Sequence, residues 1–298
     1  MVERVLLLLG LLGVGLFTSC AALVLHTWWG LTRPRRRGYA YAVARGLPGD
    51  PGEVDHPCEF YETKLGPAPG LPATTLWDIV GQSASGPVVV FSHGWGQSRH
   101  SVLPRLEALA PLSSRIIAWD LPGHGESPGP SALGATEAAA LARIVRWASE
   151  PESRPVVLYG YSLGAGVGLA LASQSPELVS RVIAESPYRV AGTPAANVLA
   201  QRGLPHGWSL RLALRLMGRV GDGGFDRAKL AALVTCPVLV LHGERDEIAP
   251  VADGRDIAGA APRGSMVVVE RGSHKSLWVD VAQREACRGA IREFLTRS

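Results

Sequence analysis

The sequence predicts an α/β protein: one doubly wound, mostly parallel sheet with a short helical cap insertion and an N-terminal transmembrane helix. Three observations predict it. Short β-branched runs alternate with longer helical patterns from Thr74 to Thr296. An interval of roughly 40 residues, too long for a simple connection, breaks that rhythm once. Ahead of both, an apolar stretch without a single charge opens the chain.

That stretch, Val5 to Leu25, "VLLLLGLLGVGLFTSCAALVL", would be about 31 Å long as a helix, enough for a bilayer core. Trp28 and Trp29 come next, where an interfacial aromatic belt sits, and "RPRRRG" then supplies Arg33, Arg35, Arg36 and Arg37. Only Arg4, beside Glu3, lies on the other flank. The positive-inside rule therefore places the arginine side, and the domain after it, in the cytoplasm. A cleaved signal peptide at Ser19-Cys20-Ala21, or a lipoprotein box ending at Cys20, would instead export the chain. A weak positive n-region and an apolar run that continues past Ala21 favour the uncleaved anchor.

Composition bounds the rest. At 298 residues, with 47 % hydrophobic and 19 % charged, the chain is globular with a sizeable core. The mean hydropathy of +0.14 is high for a soluble domain, and the opening stretch raises it. The net charge of +4 is accounted for by the four juxtamembrane arginines, which suit anionic headgroups rather than a nucleic-acid face. Cys20, Cys58, Cys236 and Cys287 form no C-x-x-C pair, so neither a zinc site nor a disulfide framework is expected. Cys236 and Cys287 read as buried free thiols.

Residues 1–37 thus read as anchor and basic flank. Residues 38–58, "GYAYAVARGLPGDPGEVDHPC", are rich in Gly and Pro and read as a linker, leaving 59–298 as the globular domain. Within it, strands are expected at 74–80, 87–92, 115–120, 155–160, 181–186, 236–243 and 265–270. Their near-continuous apolar character suits strands covered on both faces. Helices are expected at 102–110, 134–149, 163–174, 251–260 and 281–296. The cap is expected at about 188–228. In it Trp208, Arg211, Leu212, Arg215, Leu216 and Arg219 recur at near-helical spacing. They read either as an interfacial lid admitting acyl chains or as an ordinary cap helix with solvated arginines.

Open parallel sheets bind ligands beyond the carboxyl ends of their strands. The segments in those places here are "HGWGQSRH", "LPGHGES", "YSLGAG", "ERDEIAP" and "RGSHKSLW". With 35 Gly in the chain, Gly-x-Ser-x-Gly alone decides little. Ser162, Asp246 and His274 at three different strand ends, in that chain order, decide more.

The segments "SHGWG", "DLPGHGES", "GYSLG", "HGERDEIAP" and "GSHKSLW" resemble the α/β-hydrolase superfamily, especially its serine-hydrolase branch of esterases, lipases, thioesterases and serine aminopeptidase-like proteins. The resemblance covers about 59–297. It implies Ser162 as nucleophile on an elbow with Gly160 and Gly164, His274 as its base and Asp246 as the acid orienting His274. It implies the Trp95 and Leu163 N–H groups as the oxyanion hole. A serine hydroxyl needs such a base to be nucleophilic at neutral pH.

Glu185, which ends another strand, is the reserve acid, and Glu244 lies two residues before Asp246. His93 and His124 read as loop-ordering residues and His242 as a core histidine. Ser162 as a mere helix N-cap is the plain alternative. The expected activity is cleavage of a small-molecule or lipid carboxylic ester or thioester by an acyl-enzyme, with the membrane engaged through the N-terminal helix. Peptidase, amidase or acyltransferase chemistry on the same residues is the alternative, and a non-catalytic membrane scaffold is the alternative of another class. No metal or organic cofactor is implied.

Overall fold

Most apolar runs bounded by Pro, Gly or Asp become buried strands of one sheet in the computed structural model, which describes residues 1–150, 156–218 and 225–297. The run expected at 265–270 as a covered strand instead forms a partly exposed edge strand. Helices α1 (Val2–Thr32) and α2 (Tyr39–Val43) precede strands β1 (Phe60–Leu65), β2 (Thr74–Val80) and β3 (Val88–Ser92). After β3 come a 3₁₀ helix (Arg99–Arg105), α3 (Leu106–Leu109), β4 (Arg115–Trp119), α4 (Ala135–Ser149), β5 (Val156–Tyr161) and α5 (Leu163–Gln174). Strand β6 (Arg181–Glu185) leads into α6 (Gly192–Gln201), α7 (Trp208–Leu216) and α8 (Arg227–Ala231). The chain closes with β7 (Val238–Gly243), α9 (Val251–Ala260), β8 (Gly264–Val269) and α10 (Val281–Thr296).

The eight strands run in the order β1-β2-β4-β3-β5-β6-β7-β8. Strand β2 is antiparallel to both neighbours, and every pair from β4 to β8 is parallel. Side chains alternate across the sheet, as period-2 geometry requires. Val88 and Val90 join Leu141, Val145, Val167 and Ile257 under α4, α5 and α9. Val89 and Phe91 join Leu103, Leu106, Ile291 and Phe294 under the 3₁₀ helix, α3 and α10. Both faces are covered, so the sheet is doubly wound as expected.

Three other elements differ from the sequence reading. Strand β1 is absent from it: this is an edge strand whose residues are all half-buried or exposed, and it lacks the apolar run that marks the others. The helix expected at 102–110 is a 3₁₀ turn that gives way to α3 at Leu106, because Pro104 lies inside it and removes a backbone donor. The segment expected as a linker folds against the domain, carrying α2 and burying Ala42, Gly49, Pro51 and Cys58. Of the thiols, Cys287 is buried and its pKa is raised to about 12 by that burial, whereas Cys236 is only half-buried.

The cap is α6 and α7. Helix α8 belongs instead to the layer under the sheet, packing on α5 and α9. Leu210 and Leu214 of α7 form a third apolar cluster with Leu133, Tyr188, Ala191 and Ala249. Arg219 lies outside the described residues.

Candidate active site

Ser162 stands between β5 and α5 with φ 53° and ψ −107°, a left-handed conformation that costs a residue bearing a Cβ. It occupies the N-cap position, yet its side chain makes no capping hydrogen bond. The hydroxyl is turned elsewhere: its Oγ lies 3.2 Å from His274 Nε2. The turn depends on two glycines. A Cβ on Gly160 would lie 2.3 Å from the Gly164 carbonyl oxygen, and one on Gly164 would lie 2.0 Å from the Ser92 carbonyl oxygen. Gly166 has a different task from the close approach to the sheet that a small residue suggests there. A Cβ on it would strike the Arg227 guanidinium, 2.4 Å from Nε.

His274 Nδ1 donates to Asp246 Oδ2 at 2.7 Å. The other oxygen of Asp246 accepts the Ile248 and Ala249 N–H groups at 2.9 and 2.7 Å, which fixes the carboxylate plane. All three side chains are buried. The structure thus brings Ser162, His274 and Asp246 from the ends of β5, β8 and β7 into one hydrogen-bonded chain.

Glu185 is engaged elsewhere. Its carboxylate pairs bidentately with buried Arg105 and accepts the Tyr159 hydroxyl at 2.7 Å and the Trp278 indole N–H at 3.1 Å. Glu244 is exposed and accepts the Arg271 N–H at 3.0 Å. Leu163 opens α5, so its N–H, like others in a first helical turn, has no intrahelical partner. Trp95 lies in the loop after β3. That loop passes close to the serine, since a Cβ on Gly94 would come within 3.3 Å of the Ser162 Cβ.

Two supports escape sequence reasoning. The Tyr161 hydroxyl donates to the His274 carbonyl oxygen at 2.9 Å, holding the histidine loop. His242 Nε2 sits 3.5 Å from Asp246 Oδ2 while hydrogen-bonded to the Ala249 carbonyl at 2.8 Å. "G-Y-S" and "H-G-E-R-D" show that these residues are near in sequence, but not where their polar atoms point. Burial lowers the pKa of the His242 imidazole, so it stays neutral.

His93 and His124 clip the loops after β3 and β4. His93 Nδ1 donates to the Gly94 carbonyl at 2.7 Å and Nε2 accepts the Leu121 N–H at 3.0 Å, a pairing only the neutral ring can make. Burial pushes both rings from 6.5 down to about 3. Between those values the unfolded chain binds more protons than the folded one, so stability falls as pH falls through that window. Thermal melts from pH 7 to pH 4 should show a falling midpoint. The fall should be shallower in His124→Asn, whose amide can still donate to the Pro122 carbonyl that His124 Nδ1 contacts. A midpoint equally pH-dependent in both chains would contradict this.

A cavity of about 560 Å³ borders His274 and Tyr161. Leu103, Leu106, Trp278 and Val279 give it apolar walls, and Tyr41 and Leu47 of the 38–58 segment close it on one side. Among the described residues no group of three or more His, Cys, Asp or Glu side chains could hold a metal ion.

Comparison with known proteins fits this geometry. A family model described as the alpha/beta hydrolase fold matches residues 87–216. An uncharacterized protein of Mycobacterium tuberculosis is 30% identical over 217 residues, 72% of this chain and 71% of that one. The chain belongs to the α/β-hydrolase fold family. This α/β hydrolase is also similar to the pimeloyl-[acyl-carrier protein] methyl ester esterase of Neisseria meningitidis. The identity there is 26%, over 70% of this chain and 76% of that one. It is 27% identical to the lysophosphatidylserine lipase of Xenopus tropicalis, over 76% of this chain and 64% of that one. Among solved structures, an esterase of Pyrococcus furiosus superposes with a TM-score of 0.70 at 18% identity. That match covers 90% of the α/β hydrolase and 98% of the esterase, and at this identity it speaks for the fold alone.

Proposed function

We propose that the chain is a membrane-anchored serine esterase that cleaves carboxylic or thioesters through an acyl-enzyme on Ser162. One observation carries this reading. A serine held at φ 53° has its Oγ 3.2 Å from a histidine whose other nitrogen is bonded to a buried carboxylate. In the reaction His274 Nε2 takes the Ser162 proton as Oγ attacks the acyl carbon, then gives it to the departing alcohol or thiol. Asp246 holds the Nδ1–H tautomer and stabilises the imidazolium. The developing oxyanion is received by the N–H groups of Leu163 and Trp95, the first reinforced by the amino end of α5. Water then repeats the sequence on the acyl-enzyme.

Ester-cleaving relatives support esters over amides. For localisation, α1 is apolar over an 18-residue window of which none is buried, and the arginine flank after it supports a cytoplasmic domain. A panel of p-nitrophenyl esters from acetate to palmitate, run beside aminoacyl anilides, tests the reaction class. Esters should turn over with an initial burst of p-nitrophenol, and anilides at least about tenfold more slowly. Faster anilide cleavage would contradict the esterase reading.

A further inference from the structure

We propose that cap helix α7 lies in the headgroup layer of the bilayer that α1 crosses, so that a membrane-dissolved acyl ester reaches Ser162 from the leaflet. The inference rests on the anchored-esterase reading and adds the source and class of its substrate: an amphiphile delivered by the membrane.

Helix α1 is divided in two. Every residue from Val2 to Ser19 is exposed, including large apolar ones such as Leu12 at 70% and Phe17 at 74%. This free stretch is about 27 Å long, close to the roughly 30 Å hydrocarbon thickness of a bilayer. From Cys20 onward one stripe turns inward through Val24 and Thr32, and α1 packs against α7. The bilayer surface therefore falls where the free stretch ends, at the level of α7.

The outer face of α7 suits that level. Ser209, Leu210, Ala213 and Leu214 point inward. Trp208, Leu212 and Leu216, spaced four apart on the opposite side, are 47%, 41% and 58% exposed, with exposed Arg211 and Arg215 beside them. Together the tryptophan and two leucines form an apolar strip along the outer face of the helix. Such a strip suits a helix lying in an interface, with arginines reaching anionic headgroups. Further along α1 the guanidinium of exposed Arg33 stacks 3.7 Å from the Trp29 ring.

The end of α1 also reaches the candidate site. The Trp95 indole N–H donates to the Leu31 carbonyl at 3.0 Å, and the Ser131 N–H donates to the Thr32 carbonyl at 2.8 Å. Trp95 comes directly after Gly94, which lies against Ser162. Through Trp95 the end of α1 is thus tied to the loop that lies against Ser162.

The test uses the full chain reconstituted in vesicles of phosphatidylcholine and phosphatidylglycerol. A cysteine is placed at Leu212→Cys, or at Glu177→Cys in the exposed turn that leads into the amino end of β6, the end of the strand opposite the candidate site. Each is reacted with a charged, water-soluble maleimide, and labelling is read by peptide mass spectrometry and normalised to the denatured chain. The cysteine at 212 should react at least tenfold more slowly than that at 177. A second variant, Leu212→Gln with Leu216→Gln, should still float with vesicles and keep its rate on soluble p-nitrophenyl butyrate. It should lose about tenfold on a long-chain ester embedded in the vesicles. Equal labelling at the two positions, or equal loss on both substrates, in protein that floats would overturn this placement and leave the anchor standing. Failure of the wild-type chain to float would remove the anchor reading and this inference together.

Discussion

Ser162→Ala is expected to lower kcat for ester hydrolysis by about 10⁵- to 10⁶-fold, with the folded state preserved. Preservation stems from the geometry. Alanine keeps the Cβ already tolerated at φ 53°, and the removed Oγ caps no backbone group. The side-chain partner it leaves is His274. His274→Ala should cost about as much, and the double variant no more than either, because nucleophile and base act as a unit. Rates on a p-nitrophenyl ester and a thermal melt of each variant check this. A residual rate within about a hundredfold of wild type would mean that another group attacks the acyl carbon.

Asp246→Asn and Glu185→Gln should separate catalysis from stability. In Asp246→Asn the oxygen that accepts the Ile248 and Ala249 N–H groups is retained, so the loop holds. The new amide presents N–H to His274 Nδ1, forces the other tautomer and leaves Nε2 unable to accept the Ser162 proton. A loss of about 10⁴ in kcat with little change in melting temperature is the expected result. Glu185→Gln should do the reverse. It strips the charge partner from Arg105, which is buried among Phe91, Tyr161 and Trp278. An uncompensated buried cation costs about 3–5 kcal/mol, read as a lowered melting temperature, while the hydrogen-bonded chain from Ser162 to Asp246 stays intact. Undiminished turnover in Asp246→Asn would reject Asp246 as the acid.

Much of the fold and the site is legible in the sequence because strands and strand ends are local signals. "PVVVFS", "RIIAWD" and "CPVLVLHG" announce themselves as covered strands, and the residues just beyond each lie where a parallel sheet places its ligands. Strand ends alone are enough to group Ser162, Asp246 and His274. They do not order the strands, since β3 and β4 exchange places relative to the chain. Nor do they reveal β1, an edge strand that lacks the apolar run. Side-chain direction is invisible as well. The sequence places Tyr161 beside Ser162 without showing that its hydroxyl holds the His274 carbonyl, 113 residues away in the chain. The docking of α1 on α7 and Trp95 also depends on tertiary packing that an apolar N-terminal run does not specify.

The most direct test is covalent. The full-length chain in detergent is treated with a fluorophosphonate, digested, and the adduct mapped by mass spectrometry. A single adduct on Ser162 is expected, formed at wild-type rate in Glu185→Gln, greatly slowed in His274→Ala, and absent in Ser162→Ala. An unmodified Ser162 in protein that hydrolyses esters, or an adduct on another residue, would contradict the assignment of Ser162 as nucleophile.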